Sequence, residues 1–274
     1  MNNKILSVQD ISCYGQCSLT VALPILSAFG YETAILPSAI LSTHTGGFKN
    51  FTVRDLTEDL DGIVAHWQSE NITFGCIYTG YIGDCRQFET ILRAKENLLD
   101  KSGMFVVDPA MADNGKLYVA LNNDIVDGMR NIVKVADVVL PNITEACLLT
   151  GTEYRENYDE EYISALLNGL VRLGAKMPVI TGVEYGDNRI GAVGLENGKL
   201  TQAFGEKQPI SYHGTGDIFS SVAVAGLMNA DPLEKILQRG VDFVIDCIKC
   251  TDGDPSHRYG VKFEQVLRGR KNNP

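Results

Sequence analysis

Short runs that are apolar on both faces alternate with segments of helical period along most of this chain, and this limits the fold more sharply than any other feature. The runs KILSVQ (4–9), ETAILPSAI (32–40), FGCIYTG (74–80), MFVVDP (104–109), DVVLPN (137–142) and MPVITGV (177–183) show little of the polar alternation of a half-wet strand. Strands of that kind must be covered on both sides. Helical patterns separate them at 18–30, 52–70, 85–99, 123–136, 143–151 and 160–174; within 52–70, Leu56, Leu60, Ile63 and Trp67 fall on one face. The alternation predicts an α/β fold, a central mostly parallel sheet with helices on both faces. Residues 189–206 depart from it. An Asn-Gly pair at 197–198 between two strand-like runs predicts a hairpin, and two long helical stretches follow residue 217. No linker composition or internal repeat divides residues 1–274, which read as one domain.

Composition narrows the function. With 45% hydrophobic and 21% charged residues the chain is that of a globular protein, and 274 residues bury a core without disulfide or metal. A net charge of −10 argues against nucleic-acid or anionic-membrane partners. An anionic ligand would need a metal ion or focused backbone donors. No stretch approaches the roughly 20 apolar residues of a membrane span. The opening MNNKILSVQD lacks a signal-peptide core. Seven cysteines in mainly apolar surroundings read as reduced thiols of a cytoplasmic protein. Cys247 and Cys250 form a lone CxxC with no second ligand pair, so a zinc site is not expected.

In open parallel sheets, ligands bind beyond the carboxyl ends of the strands. Asp10, Tyr81, Asp108, Asn142 and Thr181 fall there. Each alone is as well explained as a turn or cap residue; together they describe a polar crevice. SYHGTGDIFSS (211–221) sets Gly214, Thr215 and Gly216 before an apolar helical run, with Asp217 one step further. Either Thr215 or Asp217 caps that helix, or its free amides cradle a phosphate-like anion beside an acid able to take a proton. Asp113, in the loop after Asp108, and Glu145, in the first turn after Asn142, add hard oxygen donors of the kind that hold a divalent cation against a polyphosphate. A P-loop needs GxxxxGK[ST], but GDNRIGAV lacks the lysine. A dinucleotide fingerprint needs GxGxxG after the first strand, where QDISCYGQCS stands instead.

GTGD before a late helix resembles the ribokinase-like superfamily of small-molecule kinases. ILSVQD, STHTGG, YTGYIGD, VVDPAMADNGKLY and ADVVLPNITEACLLTG, in that order, resemble its pyridoxal kinases over essentially the whole chain. The resemblance implies a ribokinase-like domain without a separate lid domain, acting as a homodimer on a vitamin B6 vitamer, with ATP and Mg²⁺ and an activating K⁺. It makes Asp217 the base for the substrate's hydroxymethyl oxygen, and Gly214, Thr215 and Gly216 the donors to the migrating phosphoryl group. Asp113 and Glu145 would organise Mg²⁺, directly or through water, and Asp108 the monovalent cation. Asn142 and Thr181 would lie along the ATP phosphates. Thr45 and Tyr81, with His44 adjacent, would line the pyridine pocket; for His44 an exposed loop position is the plain alternative. Two positions depart from the family. Leu140 stands where threonine is usual near the phosphates. Asp10 replaces a serine that contacts the ring.

Rival readings are a hydroxymethylpyrimidine kinase, whose usual Gly/Ser-rich first loop is a poor match to DISCYGQCS, and a non-catalytic nucleotide- or pyridoxal-phosphate-binding protein, which would not need Asp217. A carboxylate at position 10 accepts hydrogen bonds only, unless protonated, and favours a protonated ring nitrogen or an amine. Specificity constants for the three vitamers should therefore rank pyridoxamine above the aldehyde pyridoxal, and Asp10→Ser should erase the ranking. Equal constants for all three in both proteins would refute this.

Overall fold

In a computed structural model, which describes residues 2–119 and 121–270, the helices and strands come in this chain order. They are β1 (Lys4–Ser12), α1 (Leu19–Ala28), β2 (Glu32–Leu41), β3 (Val53–Asp55), α2 (Thr57–Ser69), β4 (Phe74–Thr79), α3 (Gln87–Leu98), β5 (Leu99–Val107), β6 (Ala112–Asp113) and β7 (Lys116–Leu117). Then follow α4 (Asn123–Val133), β8 (Val138–Val139), α5 (Ile143–Thr150), α6 (Glu160–Leu173), β9 (Met177–Val183), β10 (Arg189–Glu196), β11 (Lys199–Glu206), α7 (Thr215–Met228), α8 (Leu233–Thr251) and α9 (Phe263–Arg270).

Nine strands form one sheet in the order β11-β10-β9-β8-β5-β4-β1-β2-β3. The stretch from β2 to β9 is parallel; the hairpin β10–β11 and the short β3 add antiparallel edges. The interior strands are sealed on both faces, and every residue of β4 is buried. One face packs on α2 to α6, through side chains such as Leu60, Phe88, Ile91, Met129 and Leu166. The other packs on α1, α7 and α8, through Leu26, Phe219, Ala223 and Ile236. α7 is apolar nearly all round and correspondingly buried, with Ile218 through Leu227 all out of solvent.

Local chemistry sets the helix starts. Asn122 caps α4 and Asp159 caps α6, each accepting a backbone N–H of the first turn. Asn142 and Glu145 form a reciprocal capping box on α5. That box fixes both residues at the carboxyl end of β8, where a lone bridge joins Asn142 to Thr181.

The helical period read over 52–70 fails at its start. Residues 53–55 pair with β2 as β3, because the chain leaving the 43–52 loop meets an open sheet edge before it can turn. β5 begins at Leu99 rather than 104, and β1 runs on to Ser12. A third helix, α9, follows the two expected after residue 217. Phe105 lies in β5 with no solvent exposure, between β4 and β8. Phe105→Ala should cost about 3–5 kcal/mol, read as a lower denaturant midpoint with unchanged slope; an unaltered midpoint would contradict this placement.

Candidate active site

The chain enters α7 through Gly214, whose φ of 80° is left-handed. A Cβ there would lie 1.9 Å from the Gln16 carbonyl oxygen, so both conformation and space demand glycine. No side chain caps the helix. Thr215 Oγ1 donates instead to the Tyr212 carbonyl at 3.2 Å, and the space a side chain would take at Gly216 is open. The capping alternative for Thr215 and Asp217 therefore fails, and the first amides of α7 are left for solvent or an anion.

Asp217 lies in that first turn, partly buried. The Ser18 backbone N–H donates to its carboxylate. Burial, then the Asp108 and Asp10 carboxylates, push its pKa up to about 8 against that bond. Asp108 is buried just past β5, accepts from Ser220 Oγ at 2.7 Å, and is likewise raised by burial. Glu145 is buried as well. Its carboxylate takes backbone N–H bonds from Asn142 (2.8 Å), Met111 (3.1 Å) and Ala112 (3.5 Å), yet burial and Asp108 hold its pKa well above the usual range.

Asp113 behaves differently. It is exposed at the tip of the β6–β7 hairpin, and its carboxylate accepts from the backbone and side-chain nitrogens of Asn114 at 2.8 and 3.0 Å. Among the described residues no three His, Cys, Asp or Glu side chains converge closely enough to hold a metal ion by themselves. Asn142 Nδ2 donates to the Ala112 carbonyl at 2.7 Å, tying this hairpin to the start of α5. Asp113, Asn142 and Thr181 line one cavity of about 420 Å³ together with Thr144, Tyr154 and Tyr158.

Asp10 is buried inside β1, at the irregularity in its pairing with β2, rather than beyond the strand. It accepts from Ser12 Oγ at 3.0 Å, and burial raises its pKa. Burial and Asp10 push the Tyr81 phenol up to about 12, so these two predicted pocket residues share one environment. Thr45 is exposed in the loop after β2. His44 is buried, not an exposed loop residue. Its Nε2 bonds the Tyr259 carbonyl at 3.1 Å and its ring packs on Phe48 and His213, while Gln16 N–H reaches the same carbonyl at 3.0 Å. His44 thus ties the 13–17 and 43–50 loops to the segment before α9.

Two neighbours of the acids escaped the sequence reading. Desolvation of the phenol and then Glu145, Asp217, Asp113 and Asp108 push the Tyr118 pKa up, while the residue as a whole stays 37% exposed. The Cys17 thiol is raised by burial, Asp217 and Asp10, and its Sγ lies against the turn at Gly214. The only sequence signal for either was proximity to a strand-end loop.

The chain from residue 34 to 261 matches the phosphomethylpyrimidine kinase family model. It is 33% identical to a protein from Bacteroides thetaiotaomicron VPI-5482 described as a phosphomethylpyrimidine kinase and solved with pyridoxal; the TM-score is 0.94 over 99% of this chain and 96% of that one. Pyridoxal kinase from Lactobacillus plantarum is 33% identical, with a TM-score of 0.89 over 97% and 95% of the two chains. Pyridoxal kinase of Dictyostelium discoideum is 26% identical over 99% of this chain and 95% of its own length.

An acid raised from 3.8 to about 8 binds its proton more tightly folded than unfolded, so the stability it permits is present at low pH and declines as pH rises through that window. Asp217→Asn removes the penalty. Without nucleotide or divalent ions, the variant should melt above the parent at about pH 8–9, and the gap should close toward about pH 4. A gap independent of pH would refute the assigned shift.

Proposed function

Because this chain belongs to the pyridoxal kinase family, we propose that it transfers the γ-phosphoryl group of ATP to the 5′-hydroxymethyl oxygen of a vitamin B6 vitamer, with Asp217 as the base. The transfer serves the salvage of pyridoxal 5′-phosphate. The observation that carries this reading is the uncapped start of α7: anion-binding amides and a proton acceptor occupy one turn of one helix.

In the reaction the Asp217 carboxylate accepts the proton of the vitamer hydroxyl. The freed oxygen pair forms the new bond to the γ-phosphorus, and the bond to the bridging oxygen breaks as ADP leaves. The amides of Thr215 and Gly216, with Gly214 opening their approach, receive the charge on the equatorial oxygens. Asn142 and Thr181 hold the polyphosphate along the cavity they line. Asp10, Tyr81 and Thr45 orient the ring, and the buried His44 fixes the loop that carries Thr45.

Donor chemistry in the cluster fits Mg²⁺ and a monovalent cation. Asp113 is open to solvent, and each Glu145 oxygen already serves a backbone N–H, which favours ligation through water. Asp113 and Glu145 would hold Mg²⁺, which would neutralise the phosphates, and Asp108 would hold K⁺, which would add further positive charge and favour the ionised forms of the raised acids. We further read residues 1–274 as one kinase domain acting as a cytoplasmic homodimer.

Purified protein should consume ATP with pyridoxal, pyridoxine or pyridoxamine well before hydroxymethylpyrimidine. Asp217→Asn should lower kcat by roughly a thousandfold or more while ATP affinity stays within a few-fold. Near-normal turnover in that variant would remove Asp217 from the mechanism, and a preference for the pyrimidine would reassign the substrate.

A further inference from the structure

The turn between β1 and α1 holds a residue in a shape that its own side chain resists. Ser18 has φ 53° and ψ −130°, a conformation that suits glycine and strains any residue with a Cβ. It is buried, and the reaction as described gives it no task at the vitamer. Strain of this kind persists only where the surroundings impose it, and it gathers at functional sites.

Three attachments impose it here. Ser18 forms a lone antiparallel bridge with Ile11, which stands between Asp10 and Ser12 in β1. Its carbonyl accepts from the Val21 and Ala22 amides at 3.0 and 2.9 Å and so opens α1. Its own amide donates to the Asp217 carboxylate. One residue thus connects the end of β1 with the first turn of α7.

The side chain tells more. A serine at the start of a helix ordinarily turns its hydroxyl back to cap the first amides. Ser18 makes no such cap. Its hydroxyl donates instead to the Asp10 carboxylate, which Ser12 Oγ also reaches at 3.0 Å. Glycine would take the same backbone shape without strain and would keep both the amide and the carbonyl bonds. What serine adds is the hydroxyl alone, and that hydroxyl is spent on Asp10.

Resting on the reading of Asp10 as a vitamer contact, we propose that Ser18 is a positioning residue for substrate recognition, its hydroxyl fixing the Asp10 carboxylate toward the ring while its amide ties the same residue to the base. The acid that orients the ring and the acid that takes its proton are then held in register by one residue. A carboxylate gripped by two hydroxyls has its orientation set; released from one, it turns more freely and binds the vitamer less well. The nucleotide, held along Asn142 and Thr181, does not feel the change.

Two substitutions separate the hydroxyl from the strain. Ser18→Gly removes the hydroxyl and relieves the backbone, whereas Ser18→Ala removes the hydroxyl and keeps the strain, so the glycine variant should melt above the alanine variant. Both should raise the KM for pyridoxamine roughly three- to tenfold, with kcat and the KM for ATP within about twofold, because the amide on Asp217 survives in each. In an Asp10→Ser background neither should raise it further, since the group that the hydroxyl serves is gone. An unmoved pyridoxamine KM in either variant overturns the proposal. So does a rise that follows melting temperature rather than loss of the hydroxyl, the mark of a merely structural residue, and so does one that persists undiminished alongside Asp10→Ser. The underlying reading fails separately: a wild-type protein that turns over no B6 vitamer refutes the function, and the proposal with it, whatever the Ser18 variants do.

Discussion

Carboxylates held out of water without a fixed cation are the constraint on which the rest of this molecule depends. Asp108, Asp217 and Glu145 are raised by burial and by one another, and what opposes the rise comes from amides and hydroxyls: Ser220 on Asp108, the Ser18 amide on Asp217, and the Asn142, Met111 and Ala112 amides on Glu145. Such a cluster is tolerable only as acids or around a cation. On the proposed function, a nucleotide arriving with its metal ion would bring that cation, and loading the site and ionising Asp217 would become one event.

The parallel sheet makes the gathering possible. Residues far apart in sequence come together because strand ends in such a sheet share one rim. The loops that close the rim are tied to one another rather than left independent. Gly214 sits against the Gln16 carbonyl, Gln16 and His44 both bind the Tyr259 carbonyl, and Asn142 binds the hairpin that carries Asp113. The turn that opens α7 is therefore packed directly on the loop after β1, the strand that carries Asp10. A displacement of one is felt by the other.

What could be read in advance follows the same physics. Doubly apolar strands announce a covered parallel sheet, and that part of the fold was legible throughout, as was the hairpin at Asn197-Gly198. The same Asn-Gly signal at 114–115 turns β6 into β7, but strands of two residues leave no period to detect. β3 is formed by an available edge, and an edge is a property of the assembled sheet. Asp10 was placed beyond β1 because a bulge has no signature in a single sequence. His44 was harder still: its burial depends on Phe48, His213 and Tyr259, two of them more than 150 residues away along the chain. Site residues anchored by motif and strand end were within reach. Those brought to the rim only by the assembled loops, such as Cys17 beside Gly214, were not.

Leu140 shows how such packing redistributes a function. Its family resemblance leads one to expect a hydroxyl at that position, on the β8 flank of Asp108, yet Leu140 belongs to the apolar cluster under α7. Tyr78 belongs to that cluster too, but on β4, the opposite flank of β5. A hydroxyl is absent on one side of Asp108 and present, buried and unclaimed, on the other. A threonine oxygen could both donate to a carboxylate and ligate a cation beside it; leucine can do neither, so on the proposed reading the hydrogen bonding of Asp108 falls to the Ser220 hydroxyl of α7.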